Sequence, residues 1–282
     1  LKGDKKNMRA IVEQQRTVEL GKGVEESKRE LEKVLNSFND SKKQEELIED
    51  WDAKIASSKD EAYTKPRIYE KFHFVSGSWY NGYTIADAME NQYTWLPIMA
   101  LPENITKAFL KNLKVNKFNK LLKQLEEEGG LYVAKYNISE NDRSVMGGTP
   151  LHLMNYKDAE RIAKRVTPYR SGARSTIMPS AVYISYLLIC MASQYVNKDT
   201  VFRYSVLIGN YSKQLLQTGT VDNYKFFGVY DMIGNVAKVT LDKCVCGPHC
   251  MSSSDYATAA SIAHCMAGIR DNVGPLVGLE SL

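Results

Sequence analysis

The residues best suited to chemistry crowd near the C-terminus, where Cys244, Cys246, His249, Cys250, His264 and Cys265 fall within one short stretch. Thiolates and imidazoles are zinc ligands, and a thiol beside a histidine is a candidate nucleophile. The C-x-C-x-x-H-C spacing is not that of a zinc knuckle, and the adjacent His249 and Cys250 are awkward as simultaneous ligands. Cys265 beside His264 reads more readily as a small buried side chain than as an activated thiolate. We therefore expect no metal, no cofactor and no catalytic residue. Elsewhere there is no G-x-S-x-G, no phosphate-binding loop and no H-E-x-x-H, and His73 and His152 stand alone in the sequence.

The remaining chemistry in this stretch suits recognition. Ser252, Ser253, Ser254, Asp255 and Tyr256, with Thr258 and Ser261, set small polar groups around one aromatic ring. Such a mixture gives adaptable hydrogen bonding around a rigid anchor. An ordinary solvated loop would have the same composition.

The elements that must hold this segment can be read from composition and periodicity. The chain has 282 residues, 44% hydrophobic and 25% charged, which is a globular balance. Its net charge is only +4 and no basic stripe is visible, so nucleic acid is not an expected partner. No run approaches the roughly 20 apolar residues of a membrane span; Ala181 to Ala192 reads as a buried helix. Five cysteines, an odd number, argue against a complete disulfide framework and for a reducing compartment.

Residues 1–62 are helix-favouring and heptad-like, with Leu20, Val24, Leu31, Leu35 and Phe38 on one seam and Leu47, Ile48, Trp51 and Ile55 on a second helix. Such a stripe needs a partner. Either it folds onto its own domain or, as we favour from the sequence, it forms an oligomeric coiled-coil stalk for assembly or attachment. Residues 63–129 read as a strand-and-helix linker or domain extension, with one helix from Asn104 to Glu128 closed by Gly129-Gly130. Residues 130–282 form the main domain: a strand from Leu131 to Tyr136, a helix from Tyr156 to Val166, and a longer helix opened by Pro179 and ending near Tyr195.

Within that domain the segment Gly228-Val229-Tyr230-Asp231-Met232-Ile233-Gly234-Asn235-Val236 resembles the G-L-Y-D-M-x-G-N-V signature of the formylglycine-generating-enzyme (sulfatase-modifying factor) family. Weaker matches follow the family's order: Gly130 to Ser139, Thr149-Pro150 with Asn155 to Ala159, Ile177 to Ser180, and Arg270 to Gly274. The resemblance covers about Gly130 to Leu279. It implies an α+β class and a C-type-lectin-like fold of the formylglycine-generating-enzyme type, with Gly228, Tyr230, Asp231, Met232, Gly234, Asn235 and Val236 as its structural turn.

Three departures from the family speak against its chemistry. Ala260 stands where the partner of Cys265 would be, Lys238 replaces a carboxylate that in relatives can help bind calcium, and only Cys246-Gly247-Pro248-His249 answers to the R-G-G-S-W element. The resemblance then points to the family's non-enzymatic branch, which includes phage receptor-binding and retroelement-diversified variable proteins. In those, the residues between the turn and the last strand face the ligand. Here that span is Leu241 to Arg270, giving His249, Ser252, Ser254, Asp255, Tyr256 and His264 as candidate ligand-binding residues. The expectation is a phage or prophage tail or fibre component in the virion. It would be made in the host cytoplasm, be oligomeric and trimer-compatible, and contact other virion proteins and a host surface protein or glycan. Rival readings are a structural virion protein and a residual thiol or metal enzyme.

Overall fold

The computed structural model describes residues 22–58, 62–167, 172–203, 205–252, 258–260, 262–264 and 270–281. Its centre is the helix α6 (Ser180–Ala192), every residue of which is buried. A helix apolar all round has no solvent face and must be enclosed. Here α2 (Ser41–Ser57) packs on it, as do β3 (Gln92–Leu96) and β10 (Cys244–Cys246), each from a different part of the chain. Asp242 fixes its start: the carboxylate accepts from the Ser180 backbone N–H at 2.8 Å and from the Ser180 hydroxyl, occupying an otherwise orphan helix donor.

A six-stranded antiparallel sheet runs in the order β1 (Phe72–Ser76), β2 (Thr84–Asp87), β3, β4 (Leu131–Ala134), β14 (Val277–Ser281), β6 (Ala173–Ile177). Strands β2 and β4 are buried at every position, which explains the lack of an apolar–polar alternation; the one carboxylate, Asp87 of β2, accepts from the Asn91 N–H and Nδ2 and from the Thr167 hydroxyl. A smaller sheet has the order β11 (Ile262–His264), β10, β9 (Ala237–Val239), β13 (Val273–Pro275). Two short pairs, β7 (Lys225–Phe226) with β8 (Val229–Tyr230) and β12 (Arg270–Asp271) with β5 (Leu153–Met154), complete the strands among the described residues. The α+β class follows directly, and no described helix is long and apolar enough to cross a membrane.

The helix α5 (Tyr156–Val166) has the expected bounds and is capped by Asn155, which accepts from the Asp158 N–H at 2.9 Å. The expected helix from Asn104 to Glu128 is instead two, α3 (Glu103–Val115) and α4 (Asn119–Glu128). Lys117 adopts φ 60°, Phe118 N–H reaches back to Leu113 O and Lys117 N–H to Lys114 O, closing a Schellman turn. The residue at the left-handed position is lysine rather than glycine. With Leu113, Phe118 and Leu121 keeping the apolar spacing across the turn, the break was invisible to periodicity. Similarly, the buried helix α6 stops at Ala192, where Gln194 turns left-handed.

The N-terminal helices settle differently from the favoured stalk. The helix α1 (22–37), the turn after it and α2 bury Leu31, Leu35, Phe38, Leu47 and Trp51 in the same core as the sheets and α6. Asn112 of α3 donates to Ser27 Oγ at 3.3 Å, and Lys111 pairs with Glu30 at 2.6 Å. Lys54 donates to Ala100 O at 2.7 Å. Trp51 packs against Trp79 at 5.5 Å in a tilted contact and against Phe227 at 6.2 Å edge to face, ring centre to ring centre. The seam is therefore filled within one chain over the described helices, because the domain offers an apolar face that solvent would otherwise meet; Leu20 lies outside the described residues. Residues 63–129, read from the sequence as a linker or a domain extension, supply three strands of the six-stranded sheet and share its core with residues 130–281.

Packing of α2 on the domain predicts that Trp51→Ala destabilises the chain by about 3–5 kcal/mol, read by urea unfolding. A loss below about 1 kcal/mol would show that α2 contributes nothing to the domain's stability.

Candidate functional site

The signature segment starts in a two-residue hairpin turn. Phe227 and Gly228, between β7 and β8, have φ of 48° and 77°, the pattern of a type I′ connection. A bulky residue rarely adopts positive φ, but the Phe227 ring is wholly buried against Trp51 and Tyr195, and that packing holds it. Gly234 has φ 72°, and a Cβ there would lie 2.6 Å from Asn210 N, so both backbone angle and space demand glycine.

The polar residues of the segment are spent on structure. Asn235, fully buried, accepts from Asn210 Nδ2 and Leu216 N–H at 3.0 Å each and donates to Leu216 O at 3.0 Å. Asp231 accepts from the Gly219 N–H at 2.8 Å, and Tyr230 donates to Asp222 at 2.9 Å. These bonds staple the irregular stretch 208–224 to the turn, while Met232 and Val236 are buried beneath it. The motif residues thus do come together, as supports for one another.

Lys238 lies at the centre. It is 3% exposed, and its ammonium donates to Asp231 O at 2.9 Å and Val236 O at 2.6 Å. Burial pushes its pKa down to about 7, outweighing the nearby Asp231 carboxylate, which favours the charge. Burial likewise raises Asp231. Carbonyl oxygens converging in this way are what a hard cation seeks; here the lysine's own ammonium takes them.

The segment beyond the turn is carried on the small sheet, where β10 pairs with β9 and β11. His249 and Ser252 form a closed local knot: His249 N–H donates to Ser252 Oγ at 3.1 Å, Ser252 N–H to His249 O at 2.9 Å, and Met251 N–H to His249 Nδ1 at 3.2 Å. The ring is half-buried and burial lowers its pKa; with Nδ1 accepting from Met251, Nε2 is the nitrogen left to donate. The backbone of His264 lies opposite Cys244 in the ladder. Ser254, Asp255, Tyr256 and Cys265 lie outside the described residues.

Cys190, Cys244, Cys246 and Cys250 are free and buried. Desolvation raises all four thiols, Cys244 to about 12, which opposes the thiolate that both metal binding and nucleophilic attack require. Among the described residues no three Cys, His, Asp or Glu side chains are placed to hold a metal ion. Two residues with functional potential escaped the sequence reading, Lys135 at the end of β4 and Lys225 in β7, which share a cleft considered below. The only signal was a lysine closing the apolar run Leu131 to Ala134. Comparisons with protein-family models, curated proteins and solved structures return no match to this chain.

The buried ammonium has a pH signature. Between pH 7 and the ordinary 10.5 the unfolded chain holds a proton on Lys238 that the folded chain has released. Stability of the wild type relative to Lys238→Met therefore rises with pH in that window, by up to about 1.4 kcal/mol per pH unit, and is flat below it. Urea unfolding of both proteins from about pH 6 to about pH 9 checks this; a difference that does not change with pH would contradict it.

Proposed function

We propose that the chain is a non-enzymatic recognition protein: a phage or prophage tail or fibre component whose C-terminal domain, of C-type-lectin-like fold and formylglycine-generating-enzyme type, contacts a host surface protein or glycan. The observation that carries this reading is the burial of Lys238 against the carbonyls of Asp231 and Val236. It fills the turn from within, where a carboxylate would be needed to recruit a cation. The raised thiols of the four described cysteines support the same view.

The fold assignment is supported by the placement of the matched segments. They supply β4, α5, the start of α6, the turn and β12–β13, and the last strand β14 returns to pair with β4. A scaffold so stapled, with β10 of the 241–270 segment itself packed in the core on α6, can carry the rest of that segment as rigid supports carry binding loops. Oligomerisation and contacts with other virion proteins belong to the same proposal, through surfaces other than the buried α1–α2 seam.

The test is binding of the purified chain to bacterial cell-surface fractions and to arrayed glycans, with Asp255→Ala and Tyr256→Ala as variants. Each should weaken binding about tenfold or more, while Cys265→Ser leaves it unchanged. Unaltered binding by both alanine variants would remove the 241–270 face from the proposal. Loss of function with Cys265→Ser would favour a thiol enzyme.

A further inference from the structure

A cleft of about 440 Å³ opens where the β1–β2 connection, the end of β4 and the β7–β8 turn meet. Its size falls in the range of small-molecule sites, about 300–1,000 Å³. Three observations define what it suits. First, two ammonium groups line it, Lys135 and Lys225, and no carboxylate does. Second, Lys135 is 8% exposed, yet among the described residues neither lysine forms a hydrogen bond or ion pair through its ammonium. They sit instead over aromatic faces, Lys135 at 5.6 Å from the Tyr136 ring and Lys225 at 5.4 Å from Tyr230, the two rings being stacked at 5.2 Å. Third, the remaining wall is polar and aromatic: Ser76 and Asn81 are exposed, and Tyr195 presents its ring at 44% exposure.

The Lys135 side chain is buried along its stem while its ammonium opens into the cleft beside a second positive charge, and burial and Lys225 both depress its pKa. Nothing in the packing requires an ammonium there; a methionine would fill the same volume. The pair of cations is complete only when an anion lies between them. Charge-assisted hydrogen bonds from two ammonium groups are the strong ones, and the polar rim with one aromatic face matches a hydroxyl-rich ring better than an apolar ligand.

We propose that this cleft binds an anionic sugar, a saccharide bearing a carboxylate or sulfate group, with Lys135 and Lys225 on the anion and Asn81, Ser76 and Tyr195 on the ring. It is built from different residues than the 241–270 segment, so it stands or falls independently of the recognition face proposed there.

Titration calorimetry on the full chain tests it, with glucuronic acid, glucose 6-sulfate, neutral glucose and inorganic sulfate as probes. The two charged sugars should bind and glucose should not. Lys135→Met and Lys225→Met should each weaken binding about tenfold or more. Lys225 is exposed and its replacement leaves the core intact, so that variant reads the site even if Lys135→Met folds poorly. Unchanged binding by Lys225→Met, glucose binding as tightly as glucuronic acid, or inorganic sulfate binding as tightly as glucose 6-sulfate would each overturn the proposal.

Discussion

Two backbone carbonyls, those of Asp231 and Val236, converge on one buried ammonium, and the centre of the domain depends on it. A turn that reverses through left-handed residues at Phe227, Gly228, Asp231, Gly234 and Asn235 points several carbonyls inward. Buried without partners, each would carry the desolvation cost of an unmade hydrogen bond. Lys238 reaches in from β9 and satisfies two of them, tying the turn to the small sheet. Its neighbour in the parallel ladder, Gly274 of β13, leaves the last strands room to close beside it.

From this point the support spreads outward. Phe227 extends the turn into the aromatic cluster of Trp51, Trp79 and Tyr195, and so joins the N-terminal helices to the signature segment. The helix α6 contacts the large sheet at β3 and the small one at β10. It also holds the β7–β8 hairpin through Tyr186, which donates to Phe226 O at 3.1 Å, and the C-terminal segment through Tyr183, which donates to Ala259 O at 2.9 Å. Asp242, four residues beyond Lys238, caps the same helix. Cleft and turn also share a boundary: Gly228 lines the cleft and lies at the start of the stapled segment. Tyr230 N–H also donates to Lys135 O at 2.8 Å, tying the turn to the end of β4.

How much could be read from the sequence differed with the kind of signal. The helices α5 and α6 were legible because their cues are local: Asn155 with Asp158, Pro179, and an unbroken apolar run. The turn was legible because Gly228, Gly234 and Asn235, residues that favour left-handed angles, recur at a distinctive spacing; Phe227 and Asp231 take such angles without announcing them. The break at Lys117 was hidden because a lysine took a left-handed position that glycine usually announces. The fate of α1 and α2 was hidden too. A heptad stripe specifies that a partner is needed and not where it lies, and the partners were α3, α6 and a phenylalanine nearly two hundred positions away. Lys238 was noticed as a missing carboxylate, but its burial and its two carbonyl partners depend on tertiary contacts. Lys135 and Lys225 meet only where the end of β4 reaches the β7–β8 hairpin, with Tyr230 N–H donating to Lys135 O at 2.8 Å, and no spacing rule joins them.

The turn is closed from within by its own lysine, which takes the carbonyls a cation would otherwise meet. Nitrogen-detected NMR of lysine side chains, recorded across pH with and without calcium, tests it most directly. The Lys238 ammonium should be protected from solvent exchange, titrate near pH 7 and stay unmoved by calcium. A rapidly exchanging ammonium that titrates near the ordinary 10.5, or one displaced when calcium is added, would contradict it.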